Sequence, residues 1–382
     1  MVEFDKEKIY VAIMKAMTYG SGIVDMNVAT HVALDIEDVV RCEEAPSTVE
    51  AVEALVFDML IEYGAVETAR AYESYRSVQA FKRENNTTDK GIMGIINQSN
   101  VGVLKENSNK NGELISTQRD LVAGIVSNDI LKRKILPAHI VDAWESGKQH
   151  FHDGDYGAFP YHNCETINIY DMLMNGTVIN KRQITKPKSL LVAATLVTQI
   201  IVKVTSSSYG GSTIFLKDIA PFVKVSEEKY FNLLKDTISD TKELEITVDK
   251  LLQKEIKDSI QLIRYQLSTI SNANGQSSFC TFGLEVDEDF GYVDEQVKLV
   301  TEMLNQRMEG MTNEDGIKTY EALPKLIYRI EDHNNLTGGK YDDLTKLAIK
   351  CVSETMAPDF LSHKNMQKVY GEDTARFFPM GL

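Results

Sequence analysis

Apolar residues recur every three or four positions at the start of the chain. Ile9, Ala12, Ile13 and Ala16 mark a first helix, and Val28, Val32, Ile36 and Val39 mark a second. Ser47 or Thr48 is placed as the N-cap of a third, with Glu50 set for a capping interaction and Gly64 to end it. A fourth helix is expected from Ala65 to about Lys82. The polar run Arg83-Glu84-Asn85-Asn86-Thr87-Thr88-Asp89-Lys90-Gly91 follows, with the composition of a linker. The pattern therefore predicts a helical domain over 1–83, a linker over 84–91 and a second domain over 92–382.

Beyond Ile92 the periodicity changes character. A long helical stretch from Ser189 to Val204 alternates with short β-rich runs, Ser278 to Val286 and Lys325 to Ile330, which argues for an α/β domain. The Lys- and Glu-rich stretch Ser226 to Lys257 fits a solvated helical hairpin. No internal repeat of fixed period is visible.

Composition narrows the class. The chain has 382 residues, 43% of them apolar, enough for at least one sizeable core. It holds no run of about 18 apolar residues and its first residues lack a signal-peptide pattern, so a soluble cytoplasmic protein without a membrane span is expected. A formal charge of −15 opposes binding to nucleic acid, although nucleotides can still be held locally. Cys42, Cys164, Cys280 and Cys351 form no CxxC pair, which argues against a zinc ribbon or a disulfide framework.

Two independent sets of motifs carry a family resemblance. FDKEKIYVAIMKAM (Phe4 to Met17) with PSTVEAVEALVFDMLIEYGAVETARAYESYRSVQ (Pro46 to Gln79) resembles the ATP-cone, an allosteric nucleotide-binding domain of ribonucleotide reductases. ISTQRDLVAGIV (Ile115 to Val126), HFHDGDYGAFPYHNCETINIYDMLMNG (His150 to Gly176), YGGSTI (Tyr209 to Ile214), SNANGQSSFCTFGLEV (Ser271 to Val286), CVSETMAPDFLS (Cys351 to Ser362) and PMG (Pro379 to Gly381) resemble the anaerobic, glycyl radical class of ribonucleoside-triphosphate reductase. Together the two sets cover nearly the whole chain. The fold this implies is α/β: a helical ATP-cone followed by the first half of a ten-stranded α/β barrel.

The resemblance also assigns roles. Lys8 matches the cone lysine that contacts nucleotide phosphates, and a cation at a helix start suits polyphosphate because unpaired backbone N–H groups lie beside it. Taken by residue type alone, Lys8 is a solvated surface lysine. The family's basic hairpin strand, which precedes this point, has no counterpart in the sequence, so weak binding of ATP or dATP is expected. Cys164 matches the cysteine on one face of the substrate ribose; an isolated cysteine on an apolar strand is otherwise a small core residue. Met380 matches a methionine whose thioether lies beside the reacting cysteines, against the alternative of a gap filler. Where the family carries its thiyl-radical cysteine this sequence has Leu382.

Other constellations stay open. His150, His152, Asp153, Asp155 and His162 have the side chains of a metal site, but in the family this stretch is a buried, pocket-lining element. Gly210 and Gly211 allow either close packing or a phosphate contact. The turn Asn272, Asn274, Gly275, Gln276 and Ser277 is either a binding turn or a plain surface turn. Cys42, Cys280 and Cys351 are expected in the core.

The function implied is that of an N-terminal fragment of an enzyme reducing ribonucleoside triphosphates to deoxyribonucleoside triphosphates, inactive alone. Its effector would be ATP or dATP and its reductant formate, with the glycyl radical and zinc carried only by a C-terminal half outside this sequence. A radical-SAM activase, a homodimer in the intact enzyme and a C-terminal reductase chain acting in trans are the implied partners. The competing readings are a split-gene subunit active in trans and a non-catalytic nucleotide-binding regulatory protein. Other glycyl radical enzymes fit less well, because they lack the cone.

Overall fold

A computed structural model of the chain describes residues 5–41, 49–74, 87–105, 110–159, 162–371 and 378. The chain divides into two compact units, Met1–Lys90 and Gly91–Leu382.

In the first unit α1 (Lys6–Ala16) starts where the Asp5 carboxylate accepts from the backbone N–H of Glu7. The start of α2 (Met26–Val40) is capped by Asp25, which accepts from Asn27 and Val28. Each cap satisfies donors the helix itself cannot and is worth about 1 kcal/mol. The third helix, α3 (Val49–Glu62), ends before Gly64, whose φ of +72° suits a glycine, and α4 covers 66–74. Ile9, Ile13, Val32, Ile36, Val56 and Leu60 meet in one core, so the spacing seen in the sequence is the buried stripe. The expected cap at Ser47 or Thr48 lies outside the described residues, as does the expected helix beyond 74.

The segment expected as a linker overlaps another helix. Residues 84–86 lie outside the described part, and α5 (Thr87–Ile96) begins directly after them, with Asp89 in its first turn. The division between units falls inside that helix.

The second unit is built on five parallel strands in chain order: β1 (Glu165–Thr166), β2 (Ser212–Phe215), β3 (Cys280–Leu284), β4 (Lys325–Ile330) and β5 (Asp359–Ser362). Parallel strands need crossovers, and helices supply them. α6 (Ile115–Ile130) precedes the sheet. α7 (Leu190–Thr205), α8 (Ala220–Leu234), α9 (Thr241–Thr269), α10 (Val293–Glu309) and α11 (Asp342–Thr355) connect its strands. Five parallel strands with helical crossovers are what half of a ten-stranded α/β barrel requires.

Side chains alternate across a strand, so each pairing register sorts residues by face. Ile214, Leu216, Phe282, Leu284, Leu326 and Tyr328 turn toward the helices and join one large core with Val197, Phe222, Ile260 and Leu304. β3 is buried along its whole length, as a central parallel strand should be. The long helix expected from Ser189 is α7, whose first turn is capped by the Ser189 hydroxyl accepting from Val192. The Lys- and Glu-rich hairpin exists, but only one side of it is solvated. Leu244, Val248, Leu252, Ile256, Ile260 and Ile263 form a buried stripe along α9, which the density of charge between them hid.

Candidate active site

Cys164 stands immediately before β1, half-buried, with its thiol donating to Asn163 Oδ1 at 3.0 Å. Carrying the alternation of β1 back from Thr166 puts it on the side of the sheet away from the helices. The glycine pair runs beside it: Tyr209 N–H donates to the His162 carbonyl and Glu165 N–H to the Gly211 carbonyl. A Cβ on Gly210 would lie 2.2 Å from the Asn163 carbonyl oxygen and 2.6 Å from Cys164 Sγ. Close packing against the cysteine therefore accounts for Gly210. Glu165 is fixed in turn by the hydroxyls of Ser208 and Ser212, both of which donate to it.

The histidine- and aspartate-rich stretch lies next to this strand start. His150, His152, Asp153 and Asp155 line a cavity of about 640 Å³, together with Trp144 and Lys110. The pocket-lining part of the family expectation fits, but the imidazoles are not buried: His150, His152 and His162 are all exposed. Asp155 is the more enclosed group, and burial holds its carboxyl above the usual carboxylate range while Lys110 opposes that shift. Among the described residues no group of three or more His, Cys, Asp or Glu side chains is arranged to hold a metal ion. Tyr156, at the end of the stretch, donates to Asp120 at 2.9 Å and accepts from Lys110 at 2.9 Å.

Sequence reasoning missed a charged lattice on the same side of the sheet. Glu285 and Arg329, whose side chains are 3% and 6% exposed, pair at 2.8 Å, and Lys217 reaches Glu285 at 2.6 Å and Asp287 at 2.5 Å. Burial and these neighbours act on Lys217 in opposite senses; the carboxylates win and its pKa rises. The lattice lines a cavity of about 310 Å³ at the C-terminal ends of the strands, where Glu331, His333 and His363 also converge. Phe378 packs its ring 4.3 Å from the Arg329 guanidinium and edge-on to Phe215. The one available signal was a charge inside each of two apolar runs, and that signal does not say which partner it meets.

The remaining candidates are dispersed. Lys8 is exposed in the first turn of α1 and makes no ion pair among the described residues, whereas its neighbour Lys6 is held by Glu37 at 2.6 Å. A small cavity of about 170 Å³ beside α1 is lined by Lys6, Glu7, Tyr10 and Thr30, and Lys8 is not among its lining residues. Met380 lies outside the described residues, as does Cys42. Cys280 and Cys351 are buried, as expected of core residues. The turn after α9 is held from within: Asn272 donates to the Thr205 carbonyl and accepts from the N–H groups of Asn274 and Gln276. Thr117 donates to the Gly275 carbonyl, so that turn docks onto α6.

Residues 106–381, more than half of the chain, match the family model described as anaerobic ribonucleoside-triphosphate reductase. The chain belongs to that family. Residues 1–80 match the ATP cone domain, in agreement with the helical first unit. The anaerobic ribonucleoside-triphosphate reductase of Haemophilus influenzae is 33% identical over 99% of this chain and 53% of its own length. That of Escherichia coli is 32% identical over 97% and 51%, and that of bacteriophage T4 is 34% identical over 77% and 48%. The chain spans about half the length of the curated relatives it matches. Among solved structures, the Thermotoga maritima anaerobic ribonucleotide reductase with glycerol in the active site aligns at a TM-score of 0.49, with 14% identity, over 77% of this chain and 50% of that one. The match to the ATP cone domain fits binding of a nucleotide effector by the first unit, and none of the described helices is long and apolar enough to cross a membrane.

Proposed function

We propose that this chain supplies the effector domain and the Cys164-bearing part of the ribose-reducing site of an anaerobic ribonucleoside-triphosphate reductase. The observation that supports it best is the placement of Cys164: a half-buried thiol at the start of the edge strand, packed against Gly210, on the side of the sheet that the helices leave free. A thiol there is reachable by a substrate and is held by Asn163, and its S–H bond is weak enough to exchange a hydrogen atom with a carbon radical. Met380 is assigned to the same centre by its Pro-Met-Gly setting, with formate as the reductant it assists.

The complete reaction, ribonucleoside triphosphate to deoxyribonucleoside triphosphate, is proposed for this chain together with the remaining half of the reductase, whether joined to it or supplied as a second chain. The thiyl-radical cysteine that abstracts hydrogen from the ribose, the glycyl radical and the structural zinc are assigned to that other half. A radical-SAM activase, a homodimer and a cytoplasmic setting complete the reading.

In the first unit Lys8 is assigned to the phosphates of ATP or dATP. Its exposed ammonium in the first turn of α1, in no ion pair among the described residues, supports this. Two measurements test the reading. Calorimetry should find weak ATP binding that disappears in Lys8→Ala; unchanged binding in that variant removes the assignment. Reconstitution with the remaining half, activase, formate and ribonucleotide should give deoxyribonucleotide, and Cys164→Ser should abolish it; turnover by the serine variant excludes the role of Cys164.

A further inference from the structure

Tyr209 lies near Cys164 and stacks on a second phenol ring, that of Tyr156, and the function proposed above uses neither. Tyr209 is the residue before Gly210, whose backbone lies against the cysteine sulfur. Its ring stacks on that of Tyr156, with 4.8 Å between centroids and 9° between planes. The Tyr156 hydroxyl donates to Asp120 Oδ2 at 2.9 Å and accepts from Lys110 Nζ at 2.9 Å, while Lys110 also donates to Asp120 at 2.9 Å. The Lys110 and Asp120 side chains are 7% and 17% exposed, so this triad is enclosed.

The two phenols differ in what they can do with a proton. A phenol whose O–H already points at a carboxylate can lose an electron and a proton together, because the proton crosses a single hydrogen bond. Tyr156 has that acceptor. Tyr209 is instead desolvated and faces Asp153, Cys164 and Asp155, all of which raise its pKa, so it keeps its proton and offers only its ring. The ring pair thus joins the neighbourhood of the sulfur to a phenol with a built-in proton acceptor.

We infer that Tyr156, reached through the stacked ring of Tyr209, is an internal reductant for Cys164 that returns a stray thiyl radical at that residue to the thiol. The inference rests on the proposed part of Cys164 in radical steps. One electron leaves Tyr156 and reaches the sulfur through the rings. The phenolic proton moves to Asp120, which passes it on to solvent, and the thiolate so formed takes up a proton from solvent, to which the half-buried cysteine is open, so that no hydroxide is left over. An O–H bond breaks and an S–H bond forms; the cysteine gains one electron and the tyrosine loses one. The product is a neutral phenoxyl that still accepts the Lys110 hydrogen bond, beside an Asp120 carboxylate that has regained its charge and its pairing with Lys110. Phenolic O–H and thiol S–H bonds are similar in strength, so the exchange needs no further reductant.

The test creates the radical directly in the intact chain. Cys164 is S-nitrosated, the S–N bond is split by light, and the frozen sample is examined by electron paramagnetic resonance. A phenoxyl signal is expected in the wild type, and it should narrow in protein made with ring-deuterated tyrosine, a control that needs no substitution. In Tyr156→Phe the phenoxyl should vanish and severalfold more thiyl should be caught by a nitrone trap; Tyr209→Leu should act in the same direction. Equal thiyl trapping in wild type and Tyr156→Phe overturns the inference. So does a phenoxyl that survives in Tyr156→Phe or forms equally in Cys164→Ser. None of these readouts requires turnover, so their failure leaves the reductase reading standing, and failure of reconstitution leaves the photochemical result standing.

Discussion

The two faces of the five-stranded sheet are built from the same strands, yet they solve opposite problems. Toward the helices, Ile214, Phe282, Leu284 and Leu326 fill an apolar core in which shape is the main requirement. On the other face stand Phe215, Lys217, Gly283, Glu285 and Arg329, with the strand start at Cys164 at one end and the ion-paired cavity at the other. Apolar burial stabilises the first face wherever volume is right. The second face carries charges that cost free energy to desolvate and that stay buried only because each is matched. One face holds the sheet together, and the other can hold a reaction.

The largest expected effect comes from unmatching a charge. Arg329→Ala leaves Glu285 with Lys217 alone in an enclosed setting and should cost about 3–5 kcal/mol in denaturant unfolding. Replacing both partners, Arg329→Met with Glu285→Leu, should recover most of that loss, since Lys217 keeps Asp287. Phe282→Ala on the other face should cost about 3–5 kcal/mol as well, through a cavity, and no second polar-to-apolar change will rescue it. If the double replacement is as unstable as Arg329→Ala, the contrast between the faces is wrong.

Next in size is a dependence on pH. Burial pushes the Asp218 carboxyl up to about 7, against the opposing pull of Lys217 and of the Tyr170 N–H. Between the unfolded value near 3.9 and that folded value, the native state binds a proton that the unfolded state does not. Stability from this group is therefore complete below about pH 4 and lost as pH rises toward 7, by up to about 4 kcal/mol. Asp218→Asn, which is neutral at every pH, should flatten that part of the profile and be the more stable protein above pH 7. A wild-type profile that rises from pH 5 to 7 with no difference in the variant rules this out.

The helix-facing half of this contrast was legible in the sequence, because its signals are local. The apolar run around Cys280–Leu284 announces a buried strand, just as Ile9, Ile13 and Ala16 at helical spacing announce a helix in the first unit. Local signals also mislead. Thr87 to Gly91 has the composition of a linker, yet α5 runs through it. The other face could not be read, because its logic is a register. Glu285 and Arg329 are 44 residues apart in number and become neighbours only once β3 pairs with β4, as Thr281↔Lys325 dictates. Tyr156 and Tyr209 are likewise joined only by the fold. A motif singled out Cys164 as a candidate, but what holds it was not legible, since a glycine pair alone fits packing and phosphate contact equally well.

That last ambiguity gives the smallest and most local of the expected effects. Gly210 does not have a positive φ, so alanine meets no conformational penalty there, only a lack of space. Its methyl group would sit 2.2 Å and 2.4 Å from the two Asn163 oxygens and 2.6 Å from Cys164 Sγ, which no rotamer fully relieves because the nearest obstacle is the Asn163 backbone carbonyl. Gly210→Ala should therefore displace Asn163 and Cys164 together, at a cost of about 1–3 kcal/mol. The thiol would lose its hydrogen bond to Asn163 Oδ1 and move toward solvent, so a small alkylating reagent should modify Cys164 faster than in the wild type. Cys280, fully buried on β3, should keep its resistance to the same reagent and serves as the internal reference. Unchanged stability together with an unchanged alkylation rate would mean that Gly210 does not seat the cysteine, and the phosphate-contact reading of the glycine pair would become the better one.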